Sequence, residues 1–163
     1  MDCIELNGIA LHFEDSGPSD RPDRSTLVFS NSLGTDLRIW DGVVARLAPR
    51  FRTLRYDKRG HGLSDVGTPP YRIDDHVGDL AALLDQRRIG RAIVCGISVG
   101  GQIALGLAMQ RPDLVERLIL CDTGHRIGTA ESWNARIATI ERQGMEAIAD
   151  GLMERWFSVA YRQ

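Results

Sequence analysis

The chain has 163 residues, 43% of them apolar, and its 20 basic and 22 acidic residues leave a net charge of −2. This length predicts a single domain. The near-neutral charge argues against a nucleic-acid-binding protein, and the apolar content argues against a disordered tail. The single lysine, Lys58, lies in Asp57-Lys58-Arg59-Gly60 rather than behind a glycine-rich phosphate loop. A Walker-type nucleotide site is therefore excluded.

Cysteine usage and hydropathy predict the cellular setting. Three cysteines are an odd number and too few for a disulfide scaffold, so we expect Cys3, Cys95 and Cys121 to be buried, reduced thiols of a cytoplasmic protein. The N-terminus has neither the basic nor the long apolar segment of a signal peptide. The uncharged stretch Ala92–Gln110 is long enough to span a membrane, but its four glycines favour a strand, a turn and a helix. We expect neither a membrane nor a nucleic-acid partner.

The first half of the chain alternates short apolar runs with one helical pattern. Asn7-Gly8 between two short runs is typical of a tight hairpin turn. A nearly continuous apolar run from Thr26 predicts a strand that is buried on both faces. The predicted elements are strands Cys3–Leu6, Ala10–Glu14, Thr26–Ser30 and Phe51–Tyr56, the polar loop Ser16–Arg24, and a helix over Leu37–Leu47.

The second half continues the alternation and then changes after Thr123. The predicted elements are the loop Asp57–Pro70, helix Asp74–Arg88, strand Ala92–Ile97, helix Val99–Gln110, strand Val115–Cys121, and two amphipathic helices over Ala130–Arg142 and Met145–Phe157. Strands that alternate with helices predict a mostly parallel sheet covered on both faces, with the opening hairpin as an antiparallel edge. Ligands of such sheets bind at the carboxyl ends of the strands.

The clearest chemical motif is Gly96-Ile97-Ser98-Val99-Gly100-Gly101. It fits G-x-S-x-G and falls between a predicted strand and a predicted helix, which is the setting of a nucleophile elbow. We predict Ser98 as the nucleophile and the backbone N–H of Val99 as an oxyanion donor. The alternative is a phosphate-binding turn, but that favours G-x-G-x-x-G with a later acidic residue, and Ser98 replaces the middle glycine.

Two further loops end predicted strands. In Ser30–Asp36, position favours the N–H of Leu33 as the second oxyanion donor, while a polar loop with Asp36 as the cap of the next helix is compatible with that role. In Asp57–Ser64, His61 precedes Ser98 in the chain, whereas in proteins with a nucleophile elbow the catalytic base follows the serine. We therefore predict that Asp57, Arg59 and His61 form a structural loop held by charge-assisted hydrogen bonds.

These motifs make the sequence similar to α/β-hydrolases, and within them it resembles the 3-oxoadipate enol-lactonases. The residues that carry the resemblance are Phe29–Gly34, Arg55–Asp57 with Arg59–Gly62, Cys95–Ser98, and Arg126–Arg136. The resemblance implies an α/β-hydrolase fold, with residues 1–124 as the N-terminal part of the core and 125–163 as the beginning of a helical cap. The sequence differs from the resembled family at Val99, where methionine is more common, and at Lys58, where a neutral residue is common.

The resemblance also implies groups that the predicted elements do not contain. In the family the catalytic acid follows a seventh strand and the histidine an eighth, whereas here the pattern stops after six. We expect a truncated chain that is catalytically inactive and poorly stable by itself, with Val115–Cys121 as an open edge for self-association. A local substitute built from Asp122 and His125 is the weaker alternative.

As a function, the resemblance implies hydrolysis of 3-oxoadipate enol-lactone to 3-oxoadipate in aromatic-acid catabolism, with no metal or organic cofactor. Trp133 and Arg136 are three residues apart and share a helix face, so they are predicted to hold the substrate carboxylate. Arg126 is the other candidate. Equally open is that Trp133 packs the cap while Arg136 is solvated. The alternative functions are a general carboxylesterase and a non-catalytic fragment or binding module.

Overall fold

A computed structural model of the protein describes residues 2–16 and 25–163. Within them the strands form one six-stranded sheet of order β1-β2-β4-β3-β5-β6. The strands are β1 (Asp2–Leu6), β2 (Ile9–Asp15), β3 (Thr26–Ser30), β4 (Arg52–Tyr56), β5 (Ala92–Ile97) and β6 (Val115–Cys121). Most of the loop predicted over Ser16–Arg24 lies outside the described residues.

Strand pairing confirms the predicted sheet. β1 pairs antiparallel with β2, and β2 antiparallel with β4, while β4, β3, β5 and β6 run parallel to one another. Asn7 and Gly8 have φ values of 50° and 76°, which the tight turn between β1 and β2 requires. The four parallel strands therefore bring their carboxyl ends to one edge of the sheet, where ligands of such folds bind.

The helices follow the predicted order with two corrections. They are α1 (Asp41–Leu47), α2 (Ile73–Gln86), α3 (Val99–Gln110), α4 (Ala130–Gln143), α5 (Ala149–Trp156) and α6 (Val159–Arg162), with 3-10 turns at Leu37–Trp40, Pro112–Leu114 and Met145–Ile148. A single helix over Leu37–Leu47 was wrong, and so was one over Met145–Phe157, because each stretch begins as a 3-10 turn, a common helix start. Asp36 caps the first of these turns, as predicted, by accepting from the N–H of Arg38.

Two apolar clusters cover the two faces of the sheet. On one face α2 and α3 pack against the strands, with Leu80 of α2, Val28 of β3 and Val94 of β5 in one cluster. On the other face Trp40 lies 5.0 Å from Phe29, ring centroid to ring centroid, in a second cluster. All five residues of β3 are buried, which confirms a strand covered on both sides.

The two outer strands are exposed. β6 pairs only with β5 in the part of the chain that the structure describes, and its Ile119 and Leu120 are 45% and 43% exposed. Leu118 is partly buried against the first cluster. The prediction of a buried Cys3 was wrong, because β1 is the opposite edge strand and exposes that thiol. All three cysteines are free thiols.

The chain divides into two compact units, Met1–Arg126 and Ile127–Gln163. This division lies two residues after the boundary expected from the sequence. The first unit contains the sheet with α1, α2 and α3, and the second contains α4, α5 and α6. Across residues 2–16 and 25–163, none of the helices combines the length and the apolar character that crossing a membrane requires.

Candidate active site

Ser98 occupies a strained backbone position between β5 and α3. Its φ of 55° and ψ of −122° lie where residues other than glycine are rarely found. The strain is held on two sides. The N–H of Ser98 donates to the carbonyl of Cys121 at 3.1 Å, and its carbonyl accepts from the hydroxyl of Thr123 at 2.6 Å and from the N–H of Gly101 at 2.9 Å. β6 and the first turn of α3 thus fix the serine at the end of β5.

The glycines around Ser98 allow three backbones to approach closely. A Cβ atom built on Gly96 would lie 2.2 Å from the carbonyl oxygen of Gly100, and one built on Gly100 would lie 2.1 Å from that of Ser30. A Cβ on Gly101 would lie 2.5 Å from a methyl group of Thr123. No side chain fits at these positions. This close approach is the physical reason for the glycines at positions 96 and 100 of the G-x-S-x-G motif.

The loop after β3 lies beside this turn. Ser30, the last residue of β3, pairs with Gly96 of β5, so the two strands deliver Leu33 and Ser98 to the same edge of the sheet. Leu33, Ser98 and Val99 are all partly buried. Among the described residues, the N–H groups of Leu33 and Val99 donate to no acceptor. The site therefore contains two unengaged backbone donors. For Val99 this is expected, because it is the first residue of α3 and the first N–H groups of a helix characteristically lack a partner.

The loop after β4 holds the loop after β3 through two side chains. Lys58 donates from Nζ to the carbonyl of Ser32 at 3.0 Å. The N–H of Gly34 donates to Nε2 of His61 at 3.2 Å, and Nδ1 of His61 lies 3.1 Å from the carbonyl of Arg59. Since Nε2 accepts, Nδ1 carries the proton and His61 is neutral. Burial, followed by the nearby Lys58, lowers the pKa of His61 and favours this neutral form.

The predicted charge-assisted hydrogen bonds of the loop over Asp57–Ser64 are present at Asp57 and Arg59, whereas His61 makes the contacts of a neutral ring. The buried carboxylate of Asp57 accepts from the N–H of Leu37 at 2.8 Å and of Leu63 at 3.0 Å, and lies 2.7 Å from Nδ1 of His12. A Cβ on Gly62 would lie 2.0 Å from that carboxylate. The loop is therefore packed against a buried acidic group.

Arg59 makes a second buried polar contact in the same loop. It donates to both carboxylate oxygens of Asp79 on α2, at 2.6 and 2.7 Å. Sequence reasoning missed Asp79 as its partner. The available signal was an acidic residue among the buried positions of α2, next to Leu80 and two residues from Val77.

The structure does not bring Asp122 and His125 together. Both are exposed, and no hydrogen bond joins their side chains to each other or to Ser98 within residues 2–16 and 25–163. The contact that His125 makes is through its carbonyl, which accepts from the side chain of Gln102 at 3.4 Å.

The predicted substrate contacts lie on both sides of the division at Arg126. Arg126 is exposed and ends the first unit. In the second unit, the indole N–H of Trp133 donates to the carbonyl of Ile127 at 2.7 Å, and the guanidinium of Arg136 lies 5.4 Å from the centroid of the Trp133 ring. The shared helix face is confirmed. Within the described part of the chain, no group of three or more His, Cys, Asp or Glu side chains could hold a metal ion.

Comparison with known proteins identifies the family. The family described as "alpha/beta hydrolase fold" matches residues 25–143. The chain belongs to this family. Its mostly parallel sheet with an antiparallel N-terminal hairpin agrees with that assignment, and the fold predicted from the sequence is confirmed.

Similarity to enol-lactonases extends along nearly the whole chain. The chain is 38% identical over 160 residues to 3-oxoadipate enol-lactonase 2 of Acinetobacter baylyi, and 37% identical over 153 residues to 3-oxoadipate enol-lactonase 1 of the same organism. These matches cover 98% and 93% of this chain, but 59% and 55% of the relatives.

A solved structure gives the same result. The crystal structure of the enol-lactonase from Burkholderia xenovorans superimposes with a TM-score of 0.93 at 42% identity, covering 98% of this chain and 61% of the other. The chain thus resembles enol-lactonases, as its sequence motifs predicted, and spans 55–61% of the length of these three relatives.

Proposed function

We propose that the full-length protein carrying this chain is a cytoplasmic serine hydrolase that opens 3-oxoadipate enol-lactone to 3-oxoadipate. The observation that supports this most is the strained turn at Ser98 beside two unengaged N–H groups, those of Leu33 and Val99. A nucleophile that protrudes next to paired backbone donors suits acyl transfer. The substrate follows from the similarity to proteins named 3-oxoadipate enol-lactonase.

The proposed reaction proceeds through an acyl-enzyme. The Oγ of Ser98 attacks the lactone carbonyl carbon, and the carbonyl electrons move to oxygen, where the N–H groups of Leu33 and Val99 bind the oxyanion. When the carbonyl re-forms, the ring C–O bond breaks. The released enol oxygen takes a proton, and the enol tautomerises to the ketone of the product. Water then cleaves the ester on Ser98 and regenerates the hydroxyl.

A base must accept the proton of Ser98, and an acid must orient that base. We expect both to come from the part of the longer relatives that this chain does not span, because Asp122 and His125 are not joined here. We further propose that residues 1–163 expressed alone turn over substrate poorly and self-associate through β6, where Ile119 and Leu120 are exposed. Size-exclusion chromatography and an assay of lactone turnover on that polypeptide test this proposal. A monodisperse monomer with full turnover would contradict it.

The substrate carboxylate needs a cationic partner if it is to be buried. We propose Arg136, which already stacks on Trp133, with Arg126 as the other candidate. The measurement is KM for the anionic lactone in Arg136→Ala and Arg126→Ala. We expect KM to rise by about tenfold or more in at least one variant, by analogy with charge-assisted contacts of about 1.5–3 kcal/mol. An unchanged KM in both variants would overturn this part of the proposal.

Substrate choice separates a lactonase from a general carboxylesterase. In the full-length protein, we expect kcat/KM for the enol-lactone to exceed that for uncharged short-chain esters, and Ser98→Ala to abolish both activities. A higher kcat/KM for simple esters than for the enol-lactone would mean that the protein is a general carboxylesterase. No turnover of either substrate class would favour a binding module.

A further inference from the structure

The peptide group between Ser32 and Leu33 is clamped on its carbonyl side. The oxygen of Ser32 accepts from Nζ of Lys58 at 3.0 Å, from the hydroxyl of Thr35 at 3.0 Å and from the N–H of Thr35 at 3.4 Å. Both of the shorter contacts are within normal hydrogen-bond distance. A carbonyl with three donors has little freedom to rotate.

The same peptide group carries the N–H of Leu33. In a planar trans peptide, the C=O and the N–H point in opposite directions. Donors that fix the direction of the Ser32 carbonyl therefore fix the direction of the Leu33 N–H, which is left without an acceptor among the described residues. A hydrogen bond to the carbonyl also polarises the peptide and strengthens its N–H as a donor.

Lys58 is well placed to be the stronger of the two side-chain anchors. Its side chain comes from the loop after β4. The residue is only 1% exposed, so the surrounding protein restricts the motion of its side chain. Its neighbour Asp57 is also buried and is fixed by two backbone donors. A second contact from the same loop, from His61 to the N–H of Gly34, holds the other side of Leu33.

From this geometry we infer that Lys58 is a positioning residue for the oxyanion hole, acting through the Ser32–Leu33 peptide rather than on the substrate. The inference rests on the proposed function, since it assumes that the Leu33 N–H binds the oxyanion. This protein would then orient its oxyanion donor with the buried amino group of Lys58.

The test uses the full-length protein and three variants. Lys58→Met removes all donors at similar length, Lys58→Gln keeps a neutral donor, and Ser64→Ala is the matched control. Ser64 belongs to the same loop, where its hydroxyl donates to the carbonyl of Asp57 at 2.7 Å and accepts from the N–H of His12 at 2.8 Å. It makes no hydrogen bond to residues 31–35 among the described contacts.

Two rates are measured, together with thermal unfolding as a check of folding. They are kcat for the lactone and the inactivation rate of Ser98 by a fluorophosphonate, whose adduct needs the same oxyanion donors. Deleting one such donor outright costs about 10²–10³ in kcat. Since Lys58→Met only loosens a donor, we expect both rates to fall by about tenfold with KM within twofold, and Lys58→Gln to recover to within about threefold of the wild type.

Each outcome decides a separate question. If both rates of Lys58→Met and Lys58→Gln stay within twofold of the wild type, the inference is wrong, and it is also wrong if Ser64→Ala lowers them equally. If Lys58→Met does not fold, a fourth variant, Lys58→Leu, which also lacks a donor, takes its place, and unchanged rates in that variant contradict the inference. A wild-type protein that is labelled at Ser98 but does not hydrolyse the lactone overturns the proposed substrate, while the fluorophosphonate rates still test Lys58.

Discussion

The two loops that present the N–H groups of Val99 and Leu33 are held by opposite physical means. Around Ser98, backbones meet so closely that a Cβ on Gly100 would lie 2.1 Å from the carbonyl oxygen of Ser30. Around Leu33, the backbone is held by side chains, chiefly Lys58 on the Ser32 carbonyl at 3.0 Å. Close packing of backbones restricts residue type at fixed spacing, whereas a side-chain anchor can come from anywhere in the chain. What holds the first loop can therefore be predicted from the sequence, whereas for the second loop only its position can be predicted.

Gly100→Ala tests whether close packing of backbones holds the turn at Ser98, and it is the variant with the largest expected effect. The new methyl group would overlap the Ser30 carbonyl, which is backbone and cannot move aside cheaply. We expect the free energy of unfolding to fall by about 4 kcal/mol or more, the range of the most damaging substitutions. Urea unfolding of the full-length protein measures it.

Gly42→Ala is the matched control for that variant. Gly42 lies within α1, and a Cβ there meets nothing within 4 Å. Alanine is favoured over glycine inside a helix by about 0.5–1 kcal/mol, so this variant should be slightly more stable than the wild type. Equal effects of the two substitutions would mean that close approach at Gly100 is not what the fold requires.

The second prediction concerns the loop after β3, and in particular the backbone N–H of Leu33. Replacing residue 33 by the α-hydroxy acid of leucine exchanges the N–H for an ester oxygen and keeps the side chain. We expect kcat to fall by about 10²–10³, the effect of losing one oxyanion donor. Leu33→Ala keeps the N–H and should stay within about threefold of the wild type. If the side-chain variant is the more damaging one, Leu33 acts by packing and not through its backbone.

How much could be foreseen from the sequence follows the same division. The tight turn at Ser98, the small residues around it and the order of strands and helices were predictable, because sterics and apolar periodicity act over short spacings. The contacts of Lys58 and Asp79 were not, because each depends on a partner more than 15 residues away that only the fold brings close. The 3-10 starts of two helices were also missed, since apolar spacing does not separate them from α-helix.

The smallest expected effect is a pH dependence of stability at Lys58. Burial lowers the pKa of Lys58 from 10.5 to about 7, with Asp57 opposing the shift. Between these values the unfolded chain binds the proton more than the folded chain does, so this group makes the free energy of unfolding rise with pH. The slope is at most about 1.4 kcal/mol per pH unit.

Lys58→Met should lack that contribution between pH 7 and 10. Asp57, His61 and the other titrating groups remain in both proteins, so the difference between the wild-type and variant curves isolates Lys58. Urea unfolding at several pH values provides the two curves. Curves that stay parallel over this range would show that Lys58 keeps an ordinary pKa in the folded protein.

The most direct test of the central claim is the site of covalent labelling by a fluorophosphonate in the full-length protein. Mass spectrometry of the digested adduct should place the label on Ser98, and lactone turnover should disappear in step with labelling and be absent from Ser98→Ala. A label on another residue, or lactone hydrolysis that persists in Ser98→Ala, would contradict the assignment of the turn between β5 and α3 as the nucleophile elbow.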